Sequence, residues 1–136
     1  MSAALSIDAP QIRAAIYCRV STTNQGTDRQ VVELLQFAER AGYAVTGTFT
    51  EVVSGANTST KDRVERAKVI ELARQRQIDV ILVSELTRWG RSTQDLVDSL
   101  NDLQVWSVSL IALNGMTFDL STAQGKLMAQ LMSVLA

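Results

Sequence analysis

Residues 78–86, IDVILVSEL, set the tightest limit on the fold: a near-continuous aliphatic run of this length reads as a strand covered on both faces. Strands of that kind belong to mostly parallel sheets, in which helical crossovers supply cover on the two sides. The rest of the chain offers such helices and further strands in alternation. RAAIYCRV (13–20) reads as a second buried strand, YAVTGTFTE (43–51) alternates as a third, and WSVSLIAL (106–113) reads as a fourth.

Between them lie helical patterns. Thr27-x-x-Gln30 has the capping-box form, Val31, Leu34, Leu35 and Ala38 share one face, and Gly42 is placed to end the helix. VVSGANTSTKD (52–62) is polar with Gly and Asn and is expected to be a mobile loop, after which a helix runs from about Arg63 to Arg76. Ser92 is placed to cap the next helix, with Leu96, Val97, Leu100 and Leu103 facing inward, and Ser121 to open a last one. The alternation predicts an α/β domain of three layers, α/β/α, with a flavodoxin-like, mostly parallel sheet of four or five strands in the order 2-1-3-4. In that order strands 1 and 3 are neighbours, and the crevice at their carboxyl ends is the expected ligand site.

The unusual residues fall at that crevice. Strand 1 ends on Arg19-Val20-Ser21, and at strand spacing Arg19 and Ser21 leave one face of the sheet, a cation beside a hydroxyl. LTRWGRS (86–92) follows strand 3 and carries Arg88 and Arg91 three apart, so both guanidinium groups can address one anion. Between residues 60 and 91 eight basic side chains stand against five acidic ones, although the whole chain has a net charge of −1. That overall balance is not the footprint of a protein that holds DNA by itself. Three cations and a hydroxyl suit phosphoryl transfer, where charge on phosphate oxygens must be stabilised while a nucleophile attacks in line.

Composition removes other chemistries. With 136 residues the chain makes one domain of ordinary size. It has no histidine, which excludes histidine-based triads and His-ligated zinc, and its single cysteine, Cys18, excludes an internal disulfide and thiolate zinc sites. No cofactor or metal is therefore expected. Asp95, Asp98 and Asp102 share a helix face and read as a solvated surface, Asp95 being favoured by the helix dipole. Trp106 and Phe118 are expected in the core, and Cys18 is expected to be buried and inert. No apolar run reaches the length of a membrane span and residues 1–12 lack the form of a signal peptide, so a reducing cytoplasm is the expected location. On the residues alone, phosphoryl transfer of the kind a small phosphatase or nucleotidase performs and a phosphate-binding or receiver-like module both remain open.

The motifs, taken in order, discriminate further. Y-x-R-V-S-T at Tyr17 to Thr22, Gln30, S-G at Ser54 and Gly55, D-R at Asp62 and Arg63, D-V-I-L-V, and L-x-R-x-G-R-S at Leu86 to Ser92 together resemble the catalytic domain of the serine recombinases, the resolvases and invertases. The resemblance spans about residues 13–136, with 1–12 expected as a flexible leader. It implies that Ser21 attacks a phosphodiester of double-stranded DNA to give a 5′-phosphoserine linkage and a free 3′-hydroxyl, without ATP. It also implies that Arg19, Arg88 and Arg91 bind and activate the scissile phosphate, that Arg63 reaches in from the loop, and that Tyr17 and Gln30 support the site.

Two positions depart from the family pattern. Thr87 stands where most members carry Asp, so that acid's role is reduced or moved to a neighbour such as Glu85, and Trp89 stands where they carry Leu. In the family the last helix continues into a dimer contact, supports a tetramer of paired dimers and leads to a separate DNA-binding domain. GKLMAQLMSVLA (125–136) ends in a broad apolar face at helical spacing, so the chain is expected to be a catalytic fragment that lacks the dimerisation helix and the DNA-binding domain.

Overall fold

The computed structural model describes residues 11–21, 27–53, 63–90, 92–114, 119–120 and 122–127, with the backbone alone for 21, 27, 28 and 53. Four strands, β1 (Arg13–Ser21), β2 (Ala44–Val53), β3 (Val80–Val83) and β4 (Ser109–Ala112), form one sheet in the order β2-β1-β3-β4, every neighbouring pair parallel. The order anticipated from the sequence is the order found, with four strands. Helices α1 (Thr27–Ala41), α2 (Val64–Arg74) and α4 (Thr93–Val105) make the crossovers, and a single helical turn, α3 (Leu86–Trp89), follows β3.

Alternation along the strands sorts the core into two layers. Ala14, Ile16 and Cys18 of β1 pack with Val80 and Leu82 of β3 against Leu34 and Ala38 of α1. Ala15 and Tyr17, with Ile81 and Val83, face the other way, toward Val69 and Ala73 of α2 and Leu100 and Leu103 of α4. Leu35, expected to turn inward, is instead exposed, because the buried stripe of α1 narrows to Leu34 and Ala38 with Val31 and Phe37 at its margins. Trp106 is only half-buried at the edge of the second layer, and Phe118 lies outside the described residues. Among the described residues no helix is long and apolar enough to cross a membrane.

Helix ends explain where the sequence-based boundaries slip. Gly42, at φ +79°, closes α1 with Tyr43 N–H bonded to the Ala38 carbonyl at 2.9 Å and Gly42 N–H to Glu39 at 3.1 Å, the paired bonds of a Schellman motif. The same pair of bonds ends α2 at Arg76 and α4 at Ser107, both at φ 60°: Gln77 N–H reaches Leu72 O at 2.9 Å and Val108 N–H reaches Leu103 O at 2.8 Å. Without a glycine to mark them, α2 reads too long and β4 too early. A side chain in the left-handed region costs free energy that glycine avoids. Ser107→Gly is therefore expected to stabilise the domain by about 0.5–1 kcal/mol, read as a higher urea midpoint; an equal or lower midpoint would count against a strained cap.

The amino edge of the sheet is tied by one ion pair. Arg13 Nε donates to Asp79 Oδ2 at 3.1 Å and Arg13 Nη2 to the Arg76 carbonyl at 2.9 Å, so the start of β1 holds the α2–β3 turn. The bond from Arg13 holds the Asp79 carboxyl below its usual range. Both side chains are more than two-fifths exposed, and the pair is worth no more than about 1 kcal/mol in solvent.

Candidate active site

The strand order reverses between β1 and β3, and at the carboxyl end of this pair the polar residues of the core collect. Tyr17 is fully buried in β1, and its hydroxyl donates to Glu51 Oε1 at 3.2 Å. Glu51, 4% exposed in β2, also accepts the Arg66 N–H on Oε1 at 3.1 Å and the Glu65 N–H on Oε2 at 3.3 Å. These are free amides in the first turn of α2, whose N-cap residue Arg63 provides no side-chain cap. A carboxylate borrowed from the neighbouring strand thus caps the helix, where negative charge is favoured. Burial raises the Tyr17 hydroxyl well above the usual phenol range; Arg63 opposes and Glu51 adds to the effect, and the group remains a neutral donor.

All three partners of Glu51 are donors, so an amide cannot replace the carboxylate without setting an N–H₂ against one of them. Glu51→Gln is expected to cost about 1–3 kcal/mol, the penalty of a buried group left without its partner, measured as a lower denaturation midpoint with an unchanged urea slope. Stability equal to that of the parent would show that the three bonds do not hold the helix.

The residues at the start of α2 point back into the site. Arg63 is 6% exposed, and its Nη1 donates to the Trp89 carbonyl. Burial lowers its pKa, and neighbouring Arg19 and Arg66 push the same way. It still stays charged, as arginine does throughout the working range. Arg66 lies with its guanidinium carbon 4.8 Å from the Trp89 ring centre and pairs with Asp95 at 3.2 Å. Arg19 reaches the Thr87 carbonyl from β1 at 3.5 Å. The α3 turn is thus held from two sides by arginines and carries a third, Arg88. Gly90 ends that turn against α4, where an added Cβ would come within 2.9 Å of Leu96 Cβ.

Donors remain unused in this cluster. Arg63 Nη2, Arg66 Nε and Arg88 Nε are buried without a hydrogen-bond acceptor among the described residues. A cavity of about 460 Å³, lined by Arg19, Leu86, Thr87, Gly90, Ser92, Thr93 and Leu96, opens at the same end of the sheet. Buried guanidinium N–H groups without acceptors suit an anion with several oxygens. A second cavity, about 410 Å³, lies at the opposite edge of the sheet near Ile12, Tyr43 and Ser109; its charged groups Asp79, Asp119 and Lys126 are of mixed sign.

The structure therefore brings Tyr17, Arg19, Arg63 and the Arg88 turn to one end of the sheet. Ser21 is the last residue of β1, its backbone in register with Val53, two positions beyond Arg19; its side chain and all of Arg91 lie outside the described residues, as do Ser54, Gly55 and Asp62. Gln30 is in the first turn of α1, and its Oε1 is buried without a donor among the described residues. The Thr27 half of the expected capping box also falls outside them.

One expectation is corrected: Asp95 is not part of a solvated face but pairs with Arg66, both side chains less than one-fifth exposed. Ser92 caps α4 as expected, its Oγ accepting the Asp95 N–H at 3.1 Å. Glu51 and the central place of Trp89 escaped the sequence reading, since each depends on contacts between distant segments. Cys18 is buried, and burial alone pushes its thiol up to about 11, which fits an unreactive side chain.

Fold and site together define a parallel α/β domain whose arginines Arg19, Arg63 and Arg88 gather at the carboxyl edge of the sheet. The family model described as "Resolvase, N terminal domain" matches residues 14–136. The Tn1546 transposon resolvase of Enterococcus faecium is 38% identical over 105 residues, 77% of this chain and 49% of its own length. The Tn2501 transposon resolvase of Escherichia coli is 33% identical over 129 residues, 91% of this chain and 61% of its own. The N-terminal catalytic domain of TP901-1 integrase superposes with a TM-score of 0.72 at 28% identity, covering 90% of this chain and 92% of that one. The chain belongs to the resolvase N-terminal domain family, as a serine recombinase catalytic domain. It spans about half to three-fifths of the curated relatives it matches.

Proposed function

We propose that this domain cuts and rejoins DNA in site-specific recombination, with Ser21 as nucleophile. Three buried guanidinium donors without acceptors among the described residues, at the carboxyl end of β1 and β3, carry the reading. They are the complement of a phosphodiester, whose non-bridging oxygens take on charge as the phosphorus is attacked. Arg19, Arg63, Arg88 and Arg91 hold those oxygens, and Tyr17 and Gln30 support the arrangement. Ser21 Oγ bonds to phosphorus as the bond to O3′ breaks, leaving a 5′-phosphoserine and a 3′-hydroxyl. The phosphoester is conserved, so rejoining needs no nucleotide. The partners are double-stranded DNA and further copies of the protein, a dimer that pairs into a tetramer through the C-terminal helix. The setting is the bacterial cytoplasm, where the DNA lies.

The test is a denaturing gel on the full-length protein with a plasmid carrying its recombination site. The expected result is protein attached to DNA 5′ ends, with phosphoserine recovered on hydrolysis. Paired sites without any adduct would remove strand cleavage and leave a phosphate-binding module; turnover of a small phosphate ester without adduct would point to a phosphatase.

A further inference from the structure

We infer that Arg66 is a positioning residue of this site: it locks the α3 turn to α2 and α4 and so sets where Arg63 and Arg88 meet a phosphate. The inference rests on the strand-cleavage reading above. Stabilisation by guanidinium groups depends on where they stand, because the donors must already face the oxygens on which charge develops. Arg63 and Arg88 come from different elements, the N-cap of α2 and the α3 turn. That turn is four residues long, and the bonds from Arg88 N–H to Glu85 O and from Gly90 N–H to Leu86 O stay close to the turn itself. Side chains must tie it to its neighbours.

Arg66 makes such a tie on three sides. Its guanidinium carbon lies 4.8 Å from the centre of the Trp89 ring, and its Nη2 donates to both carboxylate oxygens of Asp95 in α4, at 3.3 and 3.2 Å. Its backbone N–H is held by Glu51 of β2 at 3.1 Å. Arg63, three residues earlier, takes the carbonyl of the same Trp89. Two arginines of α2 therefore grip one residue, by its backbone and by its ring, next in sequence to Arg88. An ion pair less than one-fifth exposed adds little net stability over apolar side chains of the same volume, because both charges are stripped of water. Arg66 Nε is also buried without an acceptor among the described residues, a cost that an apolar side chain would not carry. What arginine supplies here is direction: a planar fork stacked on one partner and bonded to another has one place to sit.

The experiment measures two quantities on the full-length protein: the first-order rate constant of 5′-adduct formation on a plasmid carrying its recombination site, and the urea midpoint. Arg66→Met combined with Asp95→Leu replaces the pair by apolar side chains and is expected to keep the midpoint at or above that of the parent. Its rate constant is expected to fall about 100-fold, the scale of a roughly 1 Å misplacement of the groups that meet the phosphate. Site binding should stay within about twofold, so that the loss falls on the chemical step. A merely structural role would leave the rate constant of the folded molecules unchanged, since unfolded ones lower the yield of adduct and not its rate constant. Arg66→Lys keeps a charge for Asp95 without the planar face; it is expected to fold as the parent does and to react about tenfold more slowly. It carries the test should the double variant fail to fold. A folded variant of either kind with a rate constant within about threefold of the parent overturns this inference alone. A parent that forms no adduct overturns the cleavage reading and this inference with it.

Discussion

The Ser21→Ala protein is expected to fold and to bind its recombination site as the parent does, and to leave no protein on the DNA. The loss should be at least 10³-fold, on the order seen when a nucleophile is removed. The reason lies in the placement of residue 21. It is the last residue of β1, and the backbone ladder to Val53 is independent of its side chain. The fully buried stretch of the strand, Ala14 to Cys18, ends three residues earlier, and Val20 is buried by its own side chain. The guanidinium groups are held by Thr87 and Trp89 carbonyls, and by Asp95, none of which involves residue 21. Phosphate contact and fold should thus survive while bond exchange stops. Retained binding with no adduct is the outcome that fits. An adduct of undiminished yield would move the nucleophile, with Thr22 and Thr23 next in the chain.

Trp89→Ala is expected to be the most destabilising single change in the second core layer, costing about 3–5 kcal/mol. The side chain is fully buried and touches three elements at once. Its indole N–H donates to Ser99 Oγ of α4 at 2.7 Å, its ring meets Tyr17 of β1 edge-on with centres 5.3 Å apart, and Arg66 of α2 lies over its face. Alanine would leave a cavity, a buried hydroxyl without its donor and a guanidinium without its aromatic face. Trp89→Leu should recover part of the loss by filling space while still leaving Ser99 without its donor. Urea denaturation of the three proteins, followed by far-ultraviolet circular dichroism, measures the order. A Trp89→Ala domain within about 1 kcal/mol of the parent would mean that the site collapses around the gap far better than cores of this density do.

How far the sequence led can be argued from the same residues. The aliphatic run at 78–86 and the alternation of patterns were enough for the sheet order, because parallel strands with two-sided cover leave few topologies. Gly42 marked the end of α1, since glycine is the usual residue at that conformation. Arg76 and Ser107 adopt it too, with nothing in their side chains to announce it, and so α2 was read past its end and Trp106 was placed in a strand. β3 was read too far for another reason: Leu86 is apolar in either setting, and it belongs to the α3 turn.

At the site, Arg19 and Arg88 could be named from residue type and spacing, and Arg63 from the family resemblance. Glu51 could not, because a lone acid in an edge strand looks solvated until the helix it caps is brought beside it. Asp95 was misjudged likewise, its partner Arg66 lying 29 positions earlier in the chain.

Glu51 has one more effect. By binding the amides of Glu65 and Arg66 from the end of β2, it staples together the two ends of the segment that runs from Val52 to Arg63. The entropy of closing that segment is then set at its base, whatever length of chain lies between. Doubling a closed loop costs only about 0.6 kcal/mol. Lengthening the span between Val53 and Arg63 is accordingly expected to cost little stability while Arg63 keeps its place.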